Sequence, residues 1–301
     1  MPKPSISGTI PPQAQHQRWA MTMLIAGGIA IGSSPIFVRL SEVGPIATSF
    51  WRLALAMFPL FMFGAGERRK LQERSPFNLI NCLQLILPGI FIAADLGAWH
   101  FSLHLTSVAN ATLLMNLAPI FVSIGAWLLF RMRISGRLIA GLAIAIAGVV
   151  VLKGGVGEIV HEQSAGDGIA LLSAVFYAGY ILLVGRLRSR FSTRCIMLWS
   201  TATAAAISLP VAYFMEGRIL PMTIHGWLIL AALAWMTHAA GQSMIAYALA
   251  YLAPSFSSLT LMLQPVVAAL LAWVFLTEPL GLMQAIGGMI VIFGILIARG
   301  D

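Results

Sequence analysis

Residues 255–300, SFSSLTLMLQPVVAALLAWVFLTEPLGLMQAIGGMIVIFGILIARG, match residues 109–154, ANATLLMNLAPIFVSIGAWLLFRMRISGRLIAGLAIAIAGVVVLKG, without a gap at an offset of 146 positions. Matches of Leu with Leu are common in an apolar chain, whereas matches of Pro, Trp and Gly are harder to obtain by chance. The frame superposes five such residues: Pro265 on Pro119, Trp273 on Trp127, Gly287 on Gly141, Gly294 on Gly148 and Gly300 on Gly154. A repeat that spans half of the chain predicts a duplicated membrane bundle rather than a solenoid.

The composition indicates a membrane protein. Of the 301 residues 59% are apolar and only 9% are charged, and the mean hydropathy is +0.90. A soluble domain carries about 25% charged residues. A net charge of +8 would suggest a nucleic-acid partner in a soluble protein, but in a membrane protein it reflects Lys and Arg kept on the cytoplasmic side. We therefore expect the lipid bilayer, and no nucleic acid, as the surroundings of this chain.

The cysteines and the N-terminal residues argue against further classes of protein. The cysteines Cys82 and Cys195 are isolated, so they predict neither a disulfide framework nor a metal site. Neither a metal nor a cofactor is expected. Residues 1–18 are rich in Pro, Gln and Ser, which predicts a flexible cytoplasmic tail. They lack the early apolar core of a signal peptide.

Ten segments are apolar and long enough to cross a hydrocarbon core, which requires about 20 residues. They are approximately 19–40, 45–64, 79–100, 106–130, 136–153, 167–186, 193–215, 224–250, 256–277 and 281–299. The predicted fold class is an all-α polytopic membrane protein with ten transmembrane helices.

The Lys and Arg residues predict the orientation of the two halves. With the N-terminus inside, fourteen of them lie on the cytoplasmic side and four elsewhere. Arg131, Arg133 and Arg137 surround the turn between helices four and five, whereas the equivalent turn of the second copy holds Glu278. We expect two inverted five-helix repeats, at 19–154 and 167–301, joined by an external linker at 155–166, with both termini cytoplasmic.

Several local motifs resemble those of a known family. Helices one and two contain GSSPIFVR at residues 32–39, Gly44-Pro45, and FWRL at residues 50–53. The fourth helix of each half has a Pro followed eight residues later by a Trp, and a Gly-spaced fifth helix comes next. The chain resembles an EamA-type transporter of the drug/metabolite transporter superfamily, and within it most resembles YddG-type exporters of amino acids. The resemblance implies ten helices, a central cavity between the halves and export across a bacterial inner membrane. Glu278 matches an acidic residue frequent in the family, but the first half has Met132 there.

The middle of helix eight holds a predicted site. An inverted-repeat transporter binds its substrate near the bilayer midplane, and polar groups there are costly. Trp235, His238 and Gln242 have the spacing i, i+3, i+7, which places them on one face of an α-helix. They are predicted to line the substrate cavity with an aromatic wall, a titratable ring and an amide. The alternative is that His238 only bonds a neighbouring carbonyl.

Asp95 is the only acidic residue in the interior of a predicted span, since Asp167 is the first residue of its span, and Trp99 lies one turn further along the same face. A buried carboxylate could carry a proton or meet a substrate ammonium. Asp95 also lies near the predicted outer end of its helix, where it could be solvated or paired with Arg39 or Arg52. Arg52 could anchor a carboxylate, but snorkelling to the interface is the favoured reading.

Further polar residues complete the predicted cavity. Asn116 and Gln264 lie just before Pro119 and Pro265, whose rings free the carbonyls of Met115 and Leu261. Their amides could bind substrate or satisfy neighbouring helices. Cavity positions are also assigned to Tyr177, Tyr180, Ser33 and Ser34. Pro35, Pro119 and Pro265 are predicted helix bends. The glycines at 141, 148, 287 and 294 are predicted to serve close helix packing.

These features favour a secondary transporter, and not an enzyme, that exports small metabolites, most of all amino acids with aromatic or apolar side chains. A phosphate loop is missing, so ATP does not drive transport directly. Coupling to protons through Asp95 or His238 and uniport are both compatible with the sequence. Beyond the substrate and the bilayer no partner is predicted, and the chain is assigned as a monomer.

Other functions are weighed against this one. Export of drugs or lipophilic cations by the same fold remains an alternative. A membrane-embedded lipid-modifying enzyme would need clustered acid or His groups, but here the acids are scattered singly. A pore would need a ring of like charges, and a nucleotide-sugar carrier would need deep basic residues. The middles of the predicted helices are expected to lack the latter.

Overall fold

The computed structural model describes residues 12–63, 75–102, 105–106, 114–152, 164–277 and 281–299. Within these ranges the chain is all helical. Backbone groups in lipid have no water to bond, so a span must satisfy its hydrogen bonds internally. The helices are α1 Pro12–Gly32, α2 Ser34–Arg39, α3 Pro45–Phe63, α4 Leu79–Ser102, α5 Ala118–Phe130, α6 Gly136–Leu152, α7 Ser164–Leu187, α8 Thr193–Glu216, α9 Ile224–Ala232, α10 Ser243–Ala248, α11 Pro254–Thr260, α12 Leu263–Leu276 and α13 Leu282–Ala298. A π-helix, Leu233–Gln242, joins α9 to α10.

Seven helical runs are long and apolar enough to cross a membrane. They are His16–Arg39, Pro45–Met62, Leu79–Trp99, Ala165–Leu187, Thr193–Glu216, Ile224–Ala248 and Pro254–Phe275. Three shorter apolar helices of 10–17 residues, α5, α6 and α13, accompany them. Each run overlaps one of the segments predicted from the sequence.

The predicted boundaries differ from the structure in two places. Helix α1 begins at Pro12, so residues 12–18 are helical and the predicted flexible tail was drawn too long. Helix α7 begins at Ser164, inside the predicted linker. The rest of that linker up to residue 163, Glu278 and Gly300 lie outside the described residues.

Two helical runs are interrupted close to a proline. The break between α1 and α2 falls at Ser33, and the break between α11 and α12 falls at residues 261–262. Pro35 and Pro119 are the second residues of α2 and α5, within the first turn, where backbone N–H groups have no partner inside the helix. These prolines therefore start helices rather than bend continuous ones, and Pro265 lies in the first turn of α12. The carbonyl of Leu261, predicted to be free, accepts from the N–H of Gln264 at 3.0 Å.

The sequence repeat extends to backbone conformation. Helices α6 and α13 are both 17 residues long and lie 146 positions apart at both ends. Arg131 and Thr277, also 146 apart, are the non-glycine residues with positive φ in the described chain, at 52° and 54°. The two copies thus leave their preceding helices through the same left-handed residue.

The equivalent helices α6 and α13 run antiparallel to each other. A Cβ on Gly141 would lie 2.5 Å from the carbonyl oxygen of Gly294, and one on Gly148 would lie 2.9 Å from that of Gly287. The lower-numbered glycine of α6 therefore faces the higher-numbered glycine of α13. Backbones approach this closely only where Cβ atoms are absent, so the predicted packing role of these glycines is confirmed.

The remaining helices pair reciprocally between the halves. Helices α4 and α5 of the first half pack on α7, the first helix of the second half. In the reciprocal arrangement, the π-helix with α10, and also α12, of the second half pack on α1, the first helix of the first half. Helices α3 and α8 pack on each other, and α3 also contacts the π-helix. The interior where α3, α4, α7 and the π-helix converge therefore receives side chains from both halves.

Candidate functional site

Arg52 points into the bundle from α3. Its Nη1 donates to the Ser34 hydroxyl on α2 at 3.3 Å, and its Nε is buried without a hydrogen-bond partner. Its charge interacts with Asp95 and with the side chains of Tyr177 and Tyr180. The favoured reading of Arg52 as a snorkelling residue is therefore wrong. So is the expectation that the helix middles lack a basic side chain.

Asp95 lies on α4 with only 2% of its surface exposed. Its Oδ1 accepts from the Ser173 hydroxyl of α7 at 2.6 Å. Solvation of this carboxylate, which the sequence left open, is thus contradicted. Asp95 lies seven residues before the end of α4, and Arg52 lies seven residues after the start of α3. Both are therefore about 10 Å from their helix ends at 1.5 Å per residue.

Tyr177 connects three helices. Its hydroxyl is placed to form hydrogen bonds with the side-chain amides of Gln242, on the π-helix, and Gln264, on α12. Its ring stacks on Tyr180 with the centroids 6.1 Å apart and the planes at 22°. The Tyr180 hydroxyl donates to Sδ of Met197 at 3.8 Å. Tyr177, on α7, thus lies next to both of the glutamines that were predicted to line the cavity.

His238 and Gln242 are among the buried residues of the π-helix, 3% and 4% exposed. The His238 Nε2 lies 2.9 Å from the hydroxyl of Thr201 on α8, and the imidazole also senses the charge of Arg52. The partner is a hydroxyl, and not the neighbouring carbonyl considered from the sequence. The Oε1 of Gln242 is buried without a hydrogen-bond partner.

Trp235 does not share the face of His238 and Gln242. It is 48% exposed, it stacks on the exposed Phe58, and its Nε1 donates to the Leu55 carbonyl at 3.2 Å. The prediction assumed about 100° per residue, but a π-helix with i→i+5 hydrogen bonds turns by only about 80°. Three residues then separate Trp235 from His238 by about 120° around the axis, while four keep His238 and Gln242 about 40° apart.

The other predicted residues occupy less central places. The Ser33 hydroxyl donates to the Ala30 carbonyl at 2.6 Å, so it closes the end of α1. Trp99 is half-buried one turn beyond Asp95, and Asn116 is half-buried in the turn that precedes α5. Thr201 and Ser173 were not singled out from the sequence, because a hydroxyl on an apolar helix carries no distinctive signal.

We refer to the converging side chains as the polar cluster, which comprises Ser34, Arg52, Asp95, Ser173, Tyr177, His238, Gln242 and Gln264. Both charges of this cluster come from the first half of the chain, and the tyrosine and amide groups come from the second. In the described chain no three His, Cys, Asp or Glu residues are grouped as a metal site would require. The arrangement can hold a small polar or charged molecule between the halves.

Two glutamates join the halves at the end of the bundle where α3 begins. Glu216, at the end of α8, accepts from the N–H groups of Ile46 and Ala47 at 2.7 and 2.8 Å. Glu42 accepts from the N–H groups of Met222 and Thr223 and from the Thr223 hydroxyl. These hydrogen bonds, the Thr223 hydroxyl first, lower the pKa of Glu42 below its ordinary value. Each carboxylate thus lies at a helix N-terminus of the opposite half, where negative charge is favourable.

Comparison with known proteins gives consistent results. The profile of the EamA-like transporter family matches residues 18–153 and 164–300. An uncharacterised transporter of Archaeoglobus fulgidus is 28% identical over 290 residues, which cover 93% of this chain and 95% of that protein. The pseudopaline exporter CntI of Pseudomonas aeruginosa is 23% identical over 208 residues, covering 69% of this chain and 72% of CntI.

A solved crystal structure has the same fold. It superposes with a TM-score of 0.78 over 94% of this chain and 97% of that chain, at 19% sequence identity. The family profile covers both copies of the repeat, and the relatives are named as transporters. The chain is a multi-pass membrane transporter that belongs to the EamA-like transporter family.

Proposed function

We propose that this transporter exports amino acids, including those with aromatic or apolar side chains, across a bacterial inner membrane as a YddG-like secondary carrier. The observation that carries the proposal is the polar cluster between the two halves. It combines a guanidinium, a carboxylate, two amides and the phenol of Tyr177, whose ring stacks on Tyr180, within an apolar bundle. Amino acids present the complementary groups: a carboxylate, an ammonium and a side chain.

The proposed topology has ten transmembrane helices in two inverted five-helix repeats, residues 19–154 and 167–301. Both termini face the cytoplasm, and residues 155–166 join the repeats outside. The antiparallel contact of α6 with α13 supports the inversion. The excess of Lys and Arg at one end of the helices supports the orientation. The carrier acts as a monomer without a cofactor.

Transport proceeds by alternating access around the polar cluster. The helix breaks at Ser33 and at residues 261–262 lie beside it, and such breaks let half-helices tilt separately. Glu42 and Glu216 hold the outer ends of the halves together when the outer side is closed. Asp95 and His238 are the residues through which a proton could be coupled to this cycle. Uniport down the amino-acid gradient needs neither.

Counterflow in proteoliposomes tests the function. Vesicles that contain the purified protein are loaded with one unlabelled amino acid, and uptake of the same labelled amino acid is measured across a panel. We expect transient accumulation for aromatic and apolar amino acids. If none of the panel accumulates while a lipophilic cation does, the substrate assignment is wrong. A pH gradient imposed on the same vesicles separates proton coupling from uniport.

Export of lipophilic cations is the second candidate. The buried Asp95 carboxylate and the stacked tyrosines favour it. Arg52 opposes it, because its positive charge acts on the same interior and repels a cation. We therefore rank amino acids first. The relative CntI is named as a pseudopaline exporter, which supports the direction of transport.

A further inference from the structure

We propose that the polar cluster recognises both charges of a zwitterion, with the substrate carboxylate on Arg52 and the substrate ammonium on Asp95 and Gln242. This inference rests on the proposed function and specifies how the site selects its substrate. Both charged groups that recognise the substrate come from the first half of the chain, Gln242 of the second half completes the ammonium site, and side-chain recognition is assigned to the second half. Three sets of unsatisfied groups support it.

The guanidinium of Arg52 has unused donors. A guanidinium carries five N–H donors, and in the described chain the hydrogen bond of this group is to the neutral Ser34 hydroxyl. Its Nε is buried and has no acceptor. A carboxylate would fill this gap with two parallel charge-assisted hydrogen bonds.

Two acceptors face the same interior without donors. Ser173 bonds Oδ1 of Asp95, and among the described residues no donor is assigned to Oδ2. Gln242 is 4% exposed, and its Oε1 is buried without a partner, while its amide is placed beside the Tyr177 hydroxyl. An ammonium has three donors and no acceptor, so it matches an arrangement of a carboxylate and an amide oxygen.

The two charges of the cluster interact without touching. The charge of Arg52 acts on Asp95, but within the described ranges no ion pair joins them. Separated charges in an apolar interior are costly unless each finds a partner. A molecule that carries both charges satisfies both at once, whereas an amine or an acid leaves one of them unpaired.

The second half supplies the surface for the side chain. The Tyr177 and Tyr180 rings form a stacked pair beside the charges, and aromatic faces suit aromatic and apolar groups. The Tyr177 hydroxyl also lies beside the side-chain amides of Gln242 and Gln264. The charged head of an amino acid would therefore contact mainly the first half of the protein, with Gln242 added from the second, and its side chain would contact the second half.

The experiment is competition in the proteoliposome assay with labelled L-phenylalanine, or with the amino acid of highest flux in the panel. The competitors are phenylalaninamide, which lacks the carboxylate, and 3-phenylpropionate, which lacks the ammonium. For the wild-type protein we expect each analogue to compete about tenfold or more weakly than unlabelled phenylalanine, the loss typical of a charged hydrogen bond. Equal competition by all three would overturn the zwitterion inference and leave amino-acid export standing. Absence of any amino-acid flux would overturn both.

Two variants assign each charge to its residue. Arg52→Gln is expected to remove the preference for phenylalanine over phenylalaninamide and to keep the preference over 3-phenylpropionate. Asp95→Asn is expected to do the reverse.

The matched controls are Arg218→Gln, an exposed arginine just beyond the end of α8, and Asp167→Asn, whose carboxylate accepts a hydrogen bond from Thr106 away from the cluster. They should keep both preferences. If either site variant lost both preferences equally, or neither, the assignment would be wrong. Should both variants fail to fold, Arg52→Lys and Asp95→Glu keep the charges, and the wild-type competition alone still decides the inference.

Discussion

Thr201 holds the imidazole of the polar cluster. Its hydroxyl lies 2.9 Å from Nε2 of His238, and both side chains are buried. A buried polar atom that loses its partner costs more than the hydrogen bond itself contributed. The orientation of His238 therefore depends on a residue that no sequence motif marks.

We expect Thr201→Val to destabilise the protein by about 1–3 kcal/mol, because it leaves the His238 nitrogen unsatisfied at constant volume. Thr201→Ser keeps the hydroxyl and is the matched control. The apparent melting temperature of both variants in detergent provides the measurement. Equal melting temperatures for the two variants would show that the hydrogen bond is not maintained.

Glu42 gives the protein a predictable response to acid. Its pKa is lowered from the ordinary value of 4.5, chiefly by the Thr223 hydroxyl. The folded protein thus favours the ionised form. The stabilisation is present above the unfolded pKa and is lost as pH falls through the folded value. We expect the apparent melting temperature of the wild type to fall below pH 4.5 more steeply than that of Glu42→Gln. Parallel melting curves of the two proteins over that range would contradict the role of this carboxylate.

For single residues, the sequence could predict which polar side chains matter, but not in which direction each side chain points. Asp95 and Gln242 were identified because a polar group within an apolar span is rare. Arg52 lies at a depth from which a long side chain can reach either the interface or the interior. Only the packing of α3 against the second half, with Ser34 beside it, directs Arg52 inward.

The glycines of α6 and α13 bring the backbones of the two copies into close contact. A Cβ on Gly148 would lie 2.6 Å from the backbone nitrogen of Val291, so the helices would have to move apart. We expect Gly148→Ala to destabilise the protein by about 1–3 kcal/mol through overpacking. Gly136→Ala is the control in the same helix, since nothing lies within 4 Å of its Cβ position. If thermal unfolding in detergent affected both variants alike, helix propensity rather than packing would explain the glycines.

The π-helix decides which residues of α9–α10 face the polar cluster. We expect Trp235→Leu to keep the amino-acid flux of the wild type, since the indole stacks on the exposed Phe58. Gln242→Leu is expected to reduce flux by about tenfold or more, because it removes a buried amide of the cluster. Counterflow in proteoliposomes compares the two variants. A larger loss with Trp235→Leu would return this residue to the site.

For single helices, the sequence could predict which residues share a face of a regular α-helix, but not where a helix departs from regular α-helical geometry. The Gly-spaced helices α6 and α13 follow a local pattern that repeats in both copies, so their packing role was correct. The π-helix between residues 233 and 242 has the composition of an ordinary apolar helix. This π-helix packs against α1 and α3, and its altered turn moves Trp235 about a sixth of a turn further from His238 than an α-helix would.

For the whole molecule, the proposed orientation can be tested by labelling from one side of the membrane. In a background with Cys82→Ser and Cys195→Ser, we expect Arg218→Cys to react with a membrane-impermeant maleimide in intact cells. Ser189→Cys, at the opposite end of the bundle, should react only after permeabilisation. Both positions are exposed, so access depends on the side and not on burial. The reverse pattern would place the termini outside.

The architecture was largely foreseeable, because duplication leaves a signal over the whole chain. The offset of 146 residues links α6 with α13 and predicts which helices are equivalent. The polar cluster is not duplicated. Both of its charges lie in the first half, and the residues around Tyr177 lie in the second. A repeat therefore predicts the frame but not the site, which arises from the differences between the copies.

The left-handed residues Arg131 and Thr277 offer a route to a more robust protein. A side chain in this conformation costs roughly 1–2 kcal/mol relative to a right-handed one, and both copies retain a side chain there at φ of 52° and 54°. Glycine adopts the same backbone without a steric penalty. The two turns are thus a matched pair of sites for thermostabilisation, far from the polar cluster. A preparation improved there would survive detergent extraction longer while its transport chemistry stayed native.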